Sequence, residues 1–310
     1  MNFKNIFLSL AVVGAVGCSS PHKPLEMTVA TYNLRQANHT DSVHGNGWGQ
    51  RAPYIASLVQ YHDFDIFGTQ EGFNHQLETL KSLMPAYDYI GVGRDDGDKG
   101  GEYSAIFYKP ERFELLDSGN FWLSTDTSKP NLGWDAVCVR ICTWGKFLDK
   151  ESGRPFVYFN LHMDHVGKEA RAESAKLILE KIKEFPEPIP VMLSGDFNVD
   201  QTSDSYQLLQ NSGILADAYT NAEFIYANNG TFNAYHTDGF TDKRIDHIFL
   251  SPDFKVKKYG VLTDTYRIKT DEIPEMVDTS NFPKEVSLSK YTARTPSDHF
   301  PVAIKVQINE

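Results

Sequence analysis

Polar side chains that can do chemistry together recur along this chain, each at or beside the end of a predicted β-strand. A single such residue is usually a turn residue or a satisfied core group, because Asp and Asn favour turns. Repetition on separate strands is harder to explain in that way, since strand ends that meet at one edge of a sheet form ligand sites. The residues are Asn33, Glu71, His162, Asp196, Asn198, Asp246, Asp298 and His299.

The three acids Glu71, Asp246 and Asp298 need a cation if they share a small site, because neighbouring carboxylates raise each other's pKa. Oxygen ligands of this kind suit Mg²⁺, and also Mn²⁺, with water and a substrate phosphate completing the coordination shell. The residue types therefore indicate a metal-assisted reaction at a phosphate group.

The remaining side chains suit the other requirements of phosphate ester hydrolysis. Asp196 and Asn198 are two positions apart and can hold a water molecule in line with phosphorus. His162 and His299 can face a phosphate from opposite sides and stabilise its charge. Positioning and electrostatics supply most of the rate of such a reaction, so the set predicts a phosphoester hydrolase.

The elements that must position these residues alternate between strand-like and helix-like patterns, read from β formers and helical apolar spacing. The stretch from Val191 is the best defined strand, because apolar residues follow Pro190 and Gly195 permits a bend before Asp196. The alternation predicts an α/β protein with sheet inside and helices outside. Further strands are predicted at 27–34, 65–71, 103–108, 113–116, 136–147, 156–162, 245–250, 256–261 and 300–308, and helices at 50–61, 73–83, 168–185 and 205–210.

A secretory signal is predicted at the start of the chain. Lys4 precedes an apolar run at residues 6–17 that is too short to span a membrane as a mature helix. Small residues directly before Cys18 resemble a bacterial lipoprotein signal, which implies cleavage before Cys18 and lipidation of its thiol; an ordinary cleaved signal is the alternative. We therefore expect an exported lipoprotein of the cell envelope, with residues 1–17 as signal, 18–26 as tether and 27–310 as a single catalytic domain.

The composition is that of a folded globular protein with an acidic excess. Of 310 residues, 41% are hydrophobic and 23% are charged, which argues against a disordered chain. The formal net charge is −11, whereas sequence-independent binding of long nucleic acid needs a basic face. Long duplex DNA is therefore not an expected partner. A small phosphate ester, a lipid headgroup or a short nucleic acid stays open, and a monomer is expected.

The order of the polar motifs resembles the endonuclease/exonuclease/phosphatase superfamily of Mg²⁺-dependent phosphoesterases. The resemblance implies a four-layer α/β/β/α sandwich, in which two mixed β-sheets pack face to face with helices outside, as in DNase I. The resemblance extends over the mature chain as far as the last predicted strand. The motifs are Thr31-Tyr32-Asn33, Thr69-Gln70-Glu71, Asn160-Leu161-His162, Gly195-Asp196-Phe197-Asn198, Arg244-Ile245-Asp246-His247-Ile248 and Ser297-Asp298-His299-Phe300-Pro301-Val302.

The resemblance also implies a role for each site residue on the metal and water side. Glu71 would be the principal Mg²⁺ ligand, with Asn33 and Asp298 beside it. Asp196 would orient or deprotonate the attacking water, and Asn198 would help to hold it. Members of the family differ in using one metal ion or two.

On the phosphate side, the resemblance implies that His162 and His299 contact the scissile group. Asp246 would orient His299 as its charge partner, or act near a second metal. Arg35 stands where abasic-site endonucleases have an acid, which favours an additional phosphate contact at that position. Arg140 lies in a predicted strand that could flank the site, and is a further candidate for contact with the substrate phosphate.

Other features resemble one branch of the superfamily, the deadenylases and sphingomyelinases, more than the abasic-site endonucleases. They are Arg35, the pair Trp48 and Arg51, and the run from Asn160 to His165. His165 is expected on the opposite face of its strand from His162, outside the first contacts of the site. Open alternatives are an exported nuclease, a sphingomyelinase-like phospholipase, and a binding lipoprotein that keeps the fold without catalysis.

Overall fold

The structure is a computed structural model that describes residues 24–268 and 291–308, together with Pro283 and Glu285. The predicted signal at residues 1–17, the lipidation site Cys18 and most of the predicted tether lie outside these residues. Leu25 is buried and the first strand begins at Glu26, so the last two residues assigned to the tether belong to the fold. Within the described ranges, no helix has the length and hydropathy needed to cross a membrane.

Two mixed β-sheets form the middle of the molecule. The strands are β1 (Glu26–Asn33), β2 (Ile66–Gln70), β3 (Gly72–Phe73), β4 (Asp88–Ile90), β5 (Glu102–Tyr103), β6 (Ile106–Tyr108), β7 (Phe113–Trp122), β8 (Ile141–Asp149), β9 (Arg154–His162), β10 (Val191–Asp196), β11 (Ala216–Asp217), β12 (Ile225–Tyr226), β13 (Asp246–Leu250), β14 (Phe254–Val261), β15 (Tyr266–Ile268), β16 (Thr292–Arg294) and β17 (Val302–Ile308). The first sheet has the order β12-β14-β17-β1-β2-β6-β4 and the second β11-β13-β10-β9-β8-β7, with two short pairs, β3-β5 and β15-β16, beside them.

Helices cover the outer faces of both sheets. They are α1 (His39–Val43), α2 (Trp48–Tyr61), α3 (Asn74–Leu83), α4 (Lys168–Lys183), α5 (Asp204–Gln210) and α6 (Ala218–Asn221). The apolar faces of α2 and α3 pack on the first sheet, and those of α4 and α5 pack on the second. The sequence of layers is therefore helix, sheet, sheet, helix, and the predicted α/β/β/α sandwich is confirmed.

Strand alternation explains how one strand serves two of these layers. In β9, Phe156 and Tyr158 point into the core between the sheets, while Val157 and Phe159 point outward into the core shared with α4. Because successive side chains of a strand point to opposite faces, a continuously apolar strand is buried on both sides. The apolar run that predicted this strand therefore reflects its central place in the sandwich.

The structure corrects the predicted strand at 136–147, which begins only at Ile141. The N–H groups of Val137 and Cys138 both donate to Asp164 Oδ2, at 3.2 Å each, so they are not available to a sheet. Arg140 consequently precedes β8 instead of lying within it. Hydrogen bonding of the backbone, which the apolar pattern does not report, decides the boundary.

Polar side chains interrupt the apolar core between the sheets, close to the edge where the predicted site residues lie. Asn160 Nδ2 donates to the carbonyl oxygen of Thr69 at 2.8 Å, and its Oδ1 accepts from Gln70 Nε2 at 2.7 Å and Ser194 Oγ at 3.0 Å. Tyr158 Oη donates to Ser194 Oγ at 2.7 Å. Because buried polar groups need partners, these bonds fix how the two sheets sit against each other.

Gly68 permits this close approach, and Gly68→Ala is expected to lower the free energy of unfolding by about 1–3 kcal/mol. A Cβ atom at this position would overlap Asn160 Oδ1 and lie 2.5 Å from Ser194 Oγ. Urea unfolding followed by fluorescence measures the change. Gly49→Ala is the matched control, because a Cβ there meets nothing within 4 Å. Equal losses in the two variants would contradict this explanation.

Candidate active site

The predicted site residues meet at one edge of the two sheets. Asn33 ends β1 and Glu71 follows β2 in the first sheet, while His162 ends β9 and Asp196 ends β10 in the second. Asp246 begins β13, whose antiparallel register places it opposite Asp196. The remaining members lie in the loops next to these strands: Asn198, Asp298 and His299.

Asn33 links the acids of the two sheets. Its Nδ2 donates to Glu71 Oε1 and to Asp196 Oδ2, both at 2.9 Å. Its Oδ1 accepts the backbone N–H of Arg35 at 2.9 Å. Asn33 is predicted as a metal ligand, and its amide oxygen keeps a second lone pair beside the bond from Arg35. Its amide nitrogen holds the two carboxylates close together.

The two histidines lie on either side of Asp196. His162 Nε2 is 3.6 Å and His299 Nε2 is 3.8 Å from Asp196 Oδ2. Asn198 Nδ2 lies 3.0 Å from His162 Nε2 and donates to the carbonyl oxygen of Met163 at 2.9 Å. A ring nitrogen that accepts from an amide must be unprotonated, so this contact favours neutral His162.

Electrostatics separate the two histidines further. Burial, followed by the positive charges of Arg140 and Arg94, holds the pKa of His162 well below its ordinary value. Burial also opposes a charge on His299, but Asp246 accepts from its Nδ1 at 2.9 Å and, with other nearby acids, holds its pKa well above the ordinary value. One histidine is therefore neutral and the other cationic near pH 7, a division that suits different roles at one phosphate.

The carboxylates have the environment of cation ligands. Burial and the charge of Asp246 raise the pKa of Asp196 to about 7, and burial and the charge of Glu71 raise the pKa of Asp298. Glu71, Asp196 and His299 each place one ligand atom within 4.8 Å of the others. Since His299 is held protonated, the oxygen donors would hold the ion. A hard divalent cation fits this set, with Glu71 and Asp196 as ligands and Asp298 nearby.

Arg35 contributes a positive charge to the same edge. Its Nε donates to Asp41 Oδ2 at 2.8 Å, and its Nη1 lies 3.6 Å from Asp298 Oδ2 and 4.0 Å from Glu71 Oε2. The predicted phosphate contact thus lies beside the acids, and its side chain remains partly exposed. It can reach an anion without leaving its carboxylate partners.

A cavity of about 510 Å³ opens beside this cluster. Arg35 and Arg140, the two predicted phosphate contacts, both line it, together with Glu71, His162 and Asn198. The structure therefore brings these predicted residues to one space large enough for a small molecule.

Eight further residues that line the cavity were not among the predicted site residues: Gln36, Phe73, Arg94, Asp95, Gly101, Glu102, Cys138 and His165. Arg94 and Glu102 flank a glycine-rich stretch that has no strand or helix periodicity. Two residues of opposite charge on either side of such a loop are the sequence feature that could have identified them. His165 was expected on the opposite face from His162. This expectation is wrong, because β9 ends at His162 and strand alternation does not extend to the loop residues that follow.

Three residues of the site have a left-handed backbone conformation: Arg35 at φ 56°, Glu71 at φ 63° and Asn198 at φ 52°. Only Asn tolerates this region readily among the three types. Each such residue costs about 1–3 kcal/mol and persists where the surrounding structure requires it. The sharp turns that follow β1, β2 and β10 are the places where the chain accepts this cost.

Arg51 fastens the loops that hold the site. The side chain is fully buried, and its Nη1 donates to the carbonyl oxygens of Leu34 at 2.8 Å and Pro296 at 2.9 Å. Its Nη2 donates to the carbonyl oxygen of Arg35 at 3.0 Å, and its Nε to that of Asn46 at 2.7 Å. One side chain therefore ties the segment after Asn33 to the segment that leads to His299.

Asp164 fixes the other side of the cavity. Its Oδ2 accepts from Arg140 Nε at 3.4 Å, and its Oδ1 accepts the N–H groups of Val166 at 3.0 Å and Gly167 at 2.8 Å. Burial opposes the charge, but the backbone N–H groups and Arg140 lower the pKa of Asp164 to about 2. The loops on both sides of β8 and β9 thus depend on one ionised carboxylate.

Asp164→Asn is expected to lower the free energy of unfolding near neutral pH by about 2 kcal/mol. The pKa of Asp164 is lower in the folded protein than in the unfolded chain, so its stabilisation is complete above the unfolded value of 3.8. It is lost as the pH falls through about 2. Urea unfolding of both proteins between pH 7 and pH 3 should show the difference shrinking on acidification. A difference that is independent of pH would contradict the assignment.

A two-sheet sandwich with acids, amides and two histidines of opposite character at one edge defines a phosphoesterase of the DNase I-like class. The model of the Endonuclease/Exonuclease/phosphatase family matches residues 30–299, and the chain belongs to this family. The predicted membership is thereby confirmed.

Solved structures of high similarity come from Bacteroides thetaiotaomicron. An endonuclease/exonuclease/phosphatase family protein is 53% identical with a TM-score of 0.85, covering 93% of this chain and 99% of that one. A mannosyl-6-phosphatase is 55% identical with a TM-score of 0.82, covering 90% and 99%. Both comparisons extend over nearly the whole of the described fold.

Nocturnin of Rattus norvegicus is 28% identical over 227 residues, which are 65% of this chain and 50% of that protein. The chain thus spans about half the length of this curated relative. The CCR4-Not complex 3'-5'-exoribonuclease subunit Ccr4 of Emericella nidulans is 25% identical over 276 residues, so the predicted likeness to the deadenylase branch is confirmed.

Proposed function

We propose that this protein hydrolyses a phosphate monoester of a sugar with the help of a divalent cation, Mg²⁺ or Mn²⁺. The observation that supports this most is the convergence of buried acids with one neutral and one cationic histidine at the mouth of a small-molecule cavity. The 55% identical relative is named a mannosyl-6-phosphatase, which favours a sugar phosphate over other esters.

The residues of the second sheet would handle the attacking water. Asp196, held by Asn33 and by the backbone N–H of Asn198 at 2.9 Å, orients the water and accepts its proton. A bound divalent cation would neutralise negative charge on the phosphate oxygens and make the phosphorus atom more electrophilic. Glu71 and Asp196 would hold that cation, with Asp298 beside them.

The cationic groups would stabilise the charge that develops on the phosphate oxygens. His299, kept protonated by Asp246, faces the same carboxylate as His162. Arg35 offers a guanidinium at the cavity edge, whereas Nε2 of neutral His162 accepts from Asn198 Nδ2 and helps to position that amide. Fixed donors of this kind, aimed at developing charge, account for much of the rate in phosphoryl transfer.

A second candidate is hydrolysis of a phosphodiester near the end of a short nucleic acid. The observation that favours it is the similarity to nocturnin and to the 3'-5'-exoribonuclease subunit Ccr4 of Emericella nidulans. The net charge of −11 opposes extended contact with a polyanion. A catalytically silent binding module is the weakest candidate, because every predicted acid and histidine of the site is present.

The test is hydrolysis of a panel of esters in millimolar MgCl₂ and, separately, in EDTA. Phosphate release reports on the monoesters, and chromatography of the products reports on the diester and the oligoribonucleotide. The panel contains mannose 6-phosphate, phenyl phosphate, bis-phenyl phosphate and a short oligoribonucleotide. We expect hydrolysis of the two monoesters in Mg²⁺ and none in EDTA. Faster cleavage of the oligoribonucleotide would favour the second candidate, and no turnover of any ester would refute the hydrolase assignment.

We further propose that the protein is an exported lipoprotein held at a membrane through Cys18, acting as a monomeric catalytic domain on residues 27–310. The apolar run at residues 6–17 and the small residues before Cys18 support this. Metabolic labelling with a radioactive fatty acid in a bacterial host should modify the wild type and not Cys18→Ser. Equal labelling of both proteins would refute lipidation at this residue.

A further inference from the structure

The cavity beside the catalytic cluster has a wall that hydrolysis itself does not require. Phe73, Arg94, Glu102, Arg140 and His165 line it, and we refer to these five residues as the side wall. They come from four separate segments, which follow β2, precede β6, precede β8 and follow β9. Convergence of distant segments on one small-molecule space indicates a binding surface for the part of the substrate beyond its phosphate.

Arg94 and Glu102 present a donor and an acceptor side by side. Arg94 Nη1 donates to Glu102 Oε2 at 2.6 Å, and both side chains are largely buried. Arg94 Nε is buried and has no hydrogen-bond partner among the described residues. A sugar hydroxyl both donates and accepts, so it can contact a guanidinium and a carboxylate of this arrangement at once.

Arg140 and His165 provide a second set of polar contacts. Arg140 is 4% exposed, and its Nη2 lies 3.0 Å from His165 Nδ1. Arg140 Nη1 is buried without a hydrogen-bond partner in the part of the chain that the structure describes. The His165 side chain is exposed toward solvent. Buried donors that lack partners are rare, and two of them in one wall indicate that a polar ligand completes it.

The charges of the side wall favour a neutral ligand over a second anion. Arg94 is paired with Glu102 at 2.6 Å and Arg140 with Asp164 at 3.4 Å, so each cation has its own acid. A second phosphate group or a nucleic-acid backbone would require guanidinium groups that are not neutralised in this way. Phe73 adds an aromatic ring, whose apolar face can cover carbon-bound hydrogens of a sugar ring.

We propose that the side wall binds the hydroxyl groups of one hexose ring, whose phosphate lies at the catalytic cluster. The Arg94–Glu102 pair and the Arg140–His165 pair contact hydroxyls, and Phe73 packs against the ring. This inference rests on the proposed sugar phosphatase function and adds the residues that select the sugar. A site built to hydrogen-bond hydroxyl groups discriminates strongly against a substrate that lacks them.

The test compares kcat/KM for mannose 6-phosphate with kcat/KM for phenyl phosphate, which has no hydroxyl groups on its ring. Glu102→Gln retains the shape and removes the charge, and His165→Ala changes an exposed loop residue. For each variant the ratio of the two kcat/KM values is expected to fall at least about tenfold, with most of the change in KM for the sugar phosphate. His39→Ala is the control, since His39 is also exposed and does not line the cavity.

The results of this experiment distinguish a failure of the sugar-binding proposal from a failure of the phosphatase assignment. Glu102 Oε2 lies 3.9 Å from His162 Nδ1, so a role in positioning that histidine would lower kcat equally for both substrates. An equal loss, or an unchanged ratio in both variants, would overturn the side wall as the sugar site while leaving the phosphatase assignment intact. A wild type that hydrolyses neither monoester would overturn both.

Discussion

Replacing Asp196 by asparagine is expected to lower kcat for a phosphate ester by about 10²- to 10⁴-fold. The carboxylate is buried at the end of β10 and accepts hydrogen bonds from Asn33 and from the backbone of Asn198. An asparagine retains this shape but can neither accept the proton of the attacking water nor neutralise a divalent cation. Phosphate release at saturating Mg²⁺ measures the change.

Stability distinguishes a lost catalytic group from a damaged fold. Burial and the charge of Asp246 raise the pKa of Asp196 from 3.8 to about 7, so the destabilisation of the metal-free protein by this carboxyl develops between these two pH values and is complete above pH 7. Asp196→Asn is therefore expected to unfold at the same or higher urea concentration than the wild type at pH 8 in EDTA. Asp200→Asn, in the next loop, is the matched control and should keep its activity. Full activity of Asp196→Asn, or equal loss in the control, would contradict the assigned role.

Arg51→Met is expected to lower the free energy of unfolding by about 3–5 kcal/mol and to reduce activity further than this loss of folded protein explains. The variant removes the Arg51 donor from four carbonyl oxygens, at Leu34, Arg35, Asn46 and Pro296. Of these, the oxygen of Arg35 keeps a bond from Gln76 Nε2 at 3.1 Å. Unpaired buried acceptors are costly, and Leu34, Arg35 and Pro296 each belong to the site or lie within two residues of it. Urea unfolding and kcat/KM measured on fully folded protein report the two effects.

Arg51→Lys tests whether charge or geometry matters at this position. Lysine keeps the cation but cannot reach carbonyl groups in four directions from one planar group. We expect partial recovery of stability and little recovery of kcat/KM. Arg267→Met is the control, because Arg267 is exposed and its side chain donates to the neighbouring Thr265 Oγ1 at 2.8 Å. Full activity of Arg51→Met would show that the loops hold their positions without it.

Much of the fold was predictable because buried positions of strands and helices require apolar residues at a regular spacing. Strands β1, β2, β9 and β10 are largely buried on both faces and were found within one or two residues of their bounds. Strand β7 was found only at its first residues, since it lies at the edge of the second sheet and residues 114–120 are mostly exposed. An edge strand that faces solvent does not need the apolar alternation on which such a prediction depends.

The site was predictable to the extent that its residues end buried strands. Glu71, Asp196 and His162 were located in this way, and the structure brings them together. The ligand role of Asn33 was not resolved, because the direction of an amide depends on its neighbours in space. Glu102 and Arg94 were missed for a similar reason: their pairing forms across a glycine-rich loop, and no periodicity along the chain reports a contact of that kind.

Because Arg35 and Glu71 have a left-handed backbone, selection for heat resistance and selection for turnover are expected to favour different residues at these two positions. Glycine or asparagine at either position would relieve the backbone, so a library sorted only for survival on heating should enrich them. A library sorted for phosphate release should retain the arginine and the glutamate. Natural relatives that have drifted to a binding role would then be recognisable by relaxed turns after the first two strands, before any change in the buried acids themselves.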